Sequence, residues 1–176
     1  MYRFSIVIAV CGAFLCIVAA AQTAHAQESL SEEHQNRIRQ SCVTSQTALN
    51  QLHVSDKLLR INRGTLYENI STKLMAPLNS RITLDRLGGL KLTATTLEYD
   101  RQIDAFRASY KIYEDSMTQT LRIDCADQPV EFYESIQSTR EKRQALHDAT
   151  RTLTTLLNAY KTEFELFAEE FKAGTA

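Results

Sequence analysis

Six side chains carry charge or hydrogen-bonding capacity at positions where a helical chain would bring them together: Asp56, Arg60, Arg63, Tyr110, Arg143 and Asp148. Asp56 and Arg63 sit in a heptad-like stripe where apolar residues are expected. Arg143 and Asp148 belong to a polar stretch of a later helix, residues 141–148, which also holds His147. Helix lengths put both groups at one height, with Tyr110 and Glu114 of an intervening helix beside them. A dry, fully paired layer of this kind is a register device. A convergent, partly buried set of Arg63, Arg143 and Tyr110 around a cavity is an anion or ligand site between helices. No pair among them has a spacing that demands general acid–base chemistry.

Other chemistries have little footing. The histidines beyond the leader are His34, His53 and His147, and none forms a His-x-x-x-His or Glu-x-x-His pair, so no metal site is expected. There is no Cys-x-x-Cys-His for haem, no phosphate loop or dinucleotide fingerprint, and no Gly-x-Ser-x-Gly elbow, so no cofactor is expected either. With 20 basic and 21 acidic residues among 176, the chain lacks the basic excess of a nucleic-acid binder. Five glycines and two prolines are too few for a many-turned β-sandwich.

Met1 to Arg3 give a positive start, residues 4–21 carry no charge, and Ala24-His25-Ala26 supplies a small-x-small cleavage pattern. This is the layout of a secretory signal peptide over residues 1–26, followed by a domain over 27–176. The rival is a retained membrane anchor ahead of an extracytoplasmic coiled-coil domain, since about 18 apolar residues lie at the lower edge of a span. Either way the domain is expected to be secreted or extracytoplasmic, in the cell envelope. The membrane is a partner only if the leader stays. Cleavage would remove Cys11 and Cys16 and leave Cys42 and Cys125, which in an oxidising compartment read as one disulfide.

The elements that must position these residues are long helices. Ser29-Leu30-Ser31-Glu32 reads as a capping box with Ser29 as N-cap. From there Ile38, Cys42, Ser45, Leu49, Leu52, Asp56, Leu59, Arg63, Leu66 and Ile70 recur at steps of four and three. A second stripe is Tyr99, Ile103, Phe106, Tyr110, Tyr113, Met117 and Leu121. A third is Leu153, Leu157, Tyr160, Phe164, Phe167 and Phe171, expected in the core. Pro77 should kink or interrupt the first helix, Gly88-Gly89 should end it, and Pro129 suits a helix first turn.

A turn at Asn62-Arg63-Gly64-Thr65 would give four helices but would hold Cys42 about 30 Å from the height of Cys125. A disulfide needs Cα atoms about 4.4–6.8 Å apart. The bridge therefore selects an all-α, elongated antiparallel three-helix bundle with coiled-coil-like packing and helices of about 29–87, 95–124 and 129–172. The middle arm then falls about 15 Å short, and an extended stretch over residues 90–96 would recover most of it.

The run Leu58-Leu59-Arg60-Ile61-Asn62-Arg63-Gly64, then Leu74-Met75-Ala76-Pro77-Leu78-Asn79-Ser80-Arg81, resembles a group of uncharacterised exported two-cysteine helical proteins of reduced-genome candidate-phylum bacteria. Leu121-Arg122-Ile123-Asp124-Cys125 and Pro129-Val130-Glu131-Phe132-Tyr133 are similar to the same group. The resemblance implies export and a two-cysteine helical domain, and no catalytic residues. The expected function is that of a non-enzymatic, exported or envelope-associated helical protein. Its partner would be a protein or envelope component bound along the surface, with an anionic small ligand in the mid-rod polar layer as the alternative.

Overall fold

The computed structural model describes residues 30–174, all of whose regular structure is helical. The leader over residues 1–26 lies outside the described residues. Helix α1 spans Glu32–Asn69, a π-helical stretch spans Ile70–Met75, and α2 spans Ala76–Leu84. Helices α3 (Leu90–Thr120) and α4 (Pro129–Gly174) follow. No described helix is long and apolar enough to cross a membrane.

The N-cap of α1 is Ser31, not Ser29: its hydroxyl accepts from the His34 backbone N–H, with Glu32 and Glu33 in the first turn. No turn forms at Gly64, which lies inside α1. At Pro77 the helix widens rather than stops. Proline has no N–H for the Lys73 carbonyl, and the chain ahead of it is wound as a π-helix, with the Ala76 N–H bonded to Ser71 O.

The helix ends at Leu84 rather than Leu87, in a Schellman arrangement: Leu87 N–H reaches Ile82 O and Arg86 N–H reaches Thr83 O. The left-handed residue is Arg86 (φ 54°), not either glycine. Gly89 is needed for space instead, because a Cβ there would press into the Ile82 side chain, whereas one on Gly88 meets nothing. Gly89→Ala should therefore cost about 1–3 kcal/mol in chemical denaturation, and Gly88→Ala next to nothing.

Residues 90–96 are helical, which corrects the extended stretch. The threonine hydroxyls that argued against helix bond back to carbonyls one turn earlier, Thr93 to Gly89 and Thr96 to Leu92. The shortfall it was meant to fill is smaller than the spacing implied. Forty residues separate Cys42 from Ile82, and thirty-six separate Gly89, which abuts Ile82, from Cys125. A difference of about one helical turn remains between the two arms.

Helices α3 and α4 form the close-packed pair and run antiparallel, with Thr95 bonded to Glu163 near one end and Thr120 to Ser135 near the other. The α3 stripe is core throughout: Tyr99, Ile103, Phe106, Tyr110, Tyr113 and Met117 are all buried. Toward the α3–α4 turn a ladder of hydroxyls replaces apolar packing, with Ser116 and Thr120 of α3 meeting Thr139 of α4 at 2.8 and 2.9 Å. On α4, Leu153 and Tyr160 are buried, but Phe164 and Phe171 are largely exposed, so only part of that aromatic stripe is core.

Cys125 sits in the α3–α4 turn with its Cα 5.5 Å from that of Cys42, within the range of a disulfide. Asp124 shapes the turn, its carboxylate accepting from the backbone of Ala126 and Asp127.

Candidate functional site

Helix α1 packs Ile38, Leu49, Leu52 and Tyr67 against the α3–α4 pair and adds a series of polar contacts. Gln46 bonds to Ile123 O and Arg39 to Ala126 O beside the cysteine pair, and farther on Glu68 meets Arg107 at 2.8 Å. Between Asp56 and Tyr67 the stripe residues Leu59 and Leu66 are 48% and 55% exposed. The space they leave is a groove of about 580 Å³, bounded by α1 on one side and α4 on the other, with Phe106 of α3 also lining it.

Asp56 anchors one end. It is 8% exposed and accepts three hydrogen bonds: from Tyr113 Oη at 2.6 Å, Arg143 Nε at 2.8 Å and Arg143 Nη2 at 3.1 Å. The two guanidinium bonds form a bidentate fork. Burial alone would raise the carboxyl pKa, but the bonds from Arg143 and Tyr113 and the arginine charge outweigh it and hold Asp56 below its ordinary value. The Tyr113 phenol is pushed up, first by burial and then by the carboxylate it donates to.

A second cluster backs this pair. Glu114 lies 2.9 Å from Lys57 Nζ and 3.4 Å from His53 Nε2, and its carboxyl is likewise held low: bonds from Tyr110 and Lys57 overcome desolvation. Arg60 lies over the Tyr110 ring, 5.0 Å from its centroid.

The six residues singled out in the sequence separate into two groups. Asp56 and Arg143 pair directly; Arg60 and Arg63 line the same groove; Tyr110 lies beneath Arg60. Asp148, contrary to the expectation from its level, does not join them: it accepts from Gln144 and lies 3.7 Å from Arg151, both on its own helix. Five residues past Arg143, it falls about 140° around α4. Arg140 and His147, three before and four after Arg143, share its face and line the groove.

Arg140 and Tyr113 are the members that spacing did not single out. An arginine on a polar helix reads as solvated, and the one available signal was its i, i+3 relation to Arg143. Tyr113 was legible as core but not as a carboxylate partner.

The groove wall thus holds four guanidinium groups, Arg60, Arg63, Arg140 and Arg143, against one carboxylate, Asp56. Leu59, Leu146 and Phe106 supply apolar surface between them. Among the described residues no group of histidine, cysteine, aspartate and glutamate could hold a metal ion. The chemistry available is electrostatic: cationic donors, of which Arg143 is held by Asp56 and Arg60 by the Tyr110 ring, lining a space large enough for a small molecule. No protein-family model, curated protein or solved structure matches this chain.

Proposed function

We propose that this is a non-enzymatic, exported or envelope-associated protein, built as an elongated antiparallel three-helix bundle with coiled-coil-like packing, that binds an anionic ligand in its mid-length groove. The observation that carries the reading is the excess of three guanidinium groups over carboxylates around one concavity. A layer that served only to fix register would be dry and fully paired. This one leaves open space, and only Arg143 among its four arginines is forked onto a carboxylate. Export is supported by the leader pattern and by the cysteine pair at disulfide distance.

The test is thermal unfolding in a panel of sodium salts at matched ionic strength. A ligand bound only by the folded state at about 100 times its Kd stabilises by about 2.7 kcal/mol, or roughly 5–10 °C for a chain of this size. Pyrophosphate should raise the midpoint relative to chloride, and the Arg63→Ala/Arg140→Ala double variant should lose that rise while keeping its midpoint in chloride. An equal midpoint in every salt would overturn the reading.

A second reading, docking of a macromolecular partner along the surface, has its own observation. Val54, Leu58 and Ile61 lie on one face of α1 and are each more than half exposed. Crosslinking in intact cells, with Leu58→Glu as the control, separates it from the groove reading.

A further inference from the structure

The outward side of α1 differs from the outward sides of α3 and α4 in carrying no charge. Between Gln40 and Tyr67 the charged side chains are Asp56, Lys57, Arg60 and Arg63, and all four turn toward the bundle. Asp56 meets Arg143, Lys57 meets Glu114, Arg60 covers the Tyr110 ring and Arg63 lines the groove. The opposite side exposes a stripe at steps of four and three: Thr47, Gln51, Val54, Leu58, Ile61 and Thr65. Its three apolar members are each more than half exposed. By contrast, α3 exposes Arg101, Asp104 and Lys111, and α4 exposes Arg151 and Lys161. Resting on the surface-docking reading above and independent of the groove, we propose that α1 binds the α1 of a second copy of this chain. The two helices lie parallel about a two-fold axis, with this stripe as the seam.

Three observations favour a second copy over a different protein. In a parallel two-fold contact each seam residue meets its own copy, so a charged side chain there would face like charge. This seam has none, whereas a surface that selects a different protein uses opposite charges for steering and specificity. The polar members also pair with themselves: a hydroxyl or an amide holds both a donor and an acceptor, so Thr47, Gln51 and Thr65 can each bond to its copy. Finally, the parallel register sets kind against kind along the whole stripe, Val54, Leu58 and Ile61 each meeting its own copy. An antiparallel pair that sets Val54 against Leu58 also sets Ile61 against Gln51. Polar residues at half of the six positions fix the register at a cost in stability. The association is therefore reversible, with an expected Kd on the order of 10–100 µM.

The test is sedimentation equilibrium of the full disulfide-bonded chain from about 1 µM to about 1 mM, a range that brackets that Kd. The wild type should pass from monomer to dimer mass as concentration rises. Leu58→Glu and Leu58→Lys, each alone, should weaken association at least ~10-fold by setting like charges against each other. An equimolar mixture of the two should regain the dimer, because residue 58 of one copy then meets the opposite charge on the other. Both variants should keep the wild-type unfolding midpoint at the dilute end of the range, since Leu58 is 59% exposed. A wild type that stays monomeric throughout, a dimer that Leu58→Glu leaves intact, or a mixture that stays monomeric overturns this inference. Crosslinking in intact cells to a different protein, lost in Leu58→Glu, would then leave the surface-docking reading standing. Absence of that crosslink as well overturns both.

Discussion

Replacing both Cys42 and Cys125 by serine should lower the stability of the folded chain by about 4 kcal/mol. The bridge closes a separation of 83 residues, and constraining a loop of that length in the unfolded chain accounts for an effect of that order. The loss should not be spread evenly. Helices α3 and α4 form the most closely packed pair, whereas the first half of α1 is tied down chiefly by the cysteine pair and by Asp56, with Tyr67 and the Glu68–Arg107 contact holding its far end. Hydrogen exchange on the serine double variant should therefore show the first half of α1 opening before α3 and α4. Equal protection losses in all three helices, or a stability change under 1 kcal/mol, would mean that apolar packing holds α1 after all.

Asp56→Ala is the second large effect, expected to cost about 2–4 kcal/mol. It strands the Tyr113 hydroxyl in a fully buried position and removes two charge-assisted bonds. The arginine share is discounted because the Arg143 side chain is 48% exposed and can rehydrate. Tyr113→Phe should cost less, about 1 kcal/mol, because Asp56 keeps its bidentate partner.

The pH dependence follows from the direction of the Asp56 shift. Its folded pKa lies below the unfolded value near 3.9, so at acid pH the unfolded chain binds the proton more readily. Its contribution is complete above the ordinary carboxylate range and is lost as pH falls through that value and below. Wild type should therefore lose stability more steeply than Asp56→Ala below about pH 4 in denaturant titrations. Parallel pH profiles would show that the carboxylate is not specially stabilised.

The parts of the fold that were legible in the sequence are those where helical spacing and burial coincide. On α3 the steps of four and three from Tyr99 to Met117 name a face, and that face meets α4, so its residues are core. On α1 the same rule names Leu59 and Leu66 and fails, because spacing says which residues share a face and not whether a neighbour reaches it. The groove exists because of that failure. Residues 90–96 depart from the expectation for a different reason: threonine is a poor helix former alone, but here its hydroxyls bond to the preceding turn while Leu92 and Thr96 pack inward.

The candidate site was half legible. Asp56 and Arg143 stood out because charge interrupts an apolar pattern, and counting helical rise brought them to one level. Asp148 lies near the level of Asp56 but does not share the azimuth of Arg143 on α4, and level alone does not distinguish the two. Arg140 was missed because nothing local distinguishes a groove-facing arginine from a solvated one. Which arginines converge depends on how far α1 stands from α4, a property of packing rather than of either helix.

The central claim, that anions bind among the guanidinium groups of the mid-length groove, is tested most directly by NMR of the arginine Nε–Hε groups during titration with pyrophosphate. The Nε–Hε signals of Arg63 and Arg140 should move in a saturable way, with those of Arg60 and Arg143 following, while Arg37, Arg101 and Arg151 outside the groove stay fixed. Uniform small shifts of all arginines in proportion to added salt would contradict it.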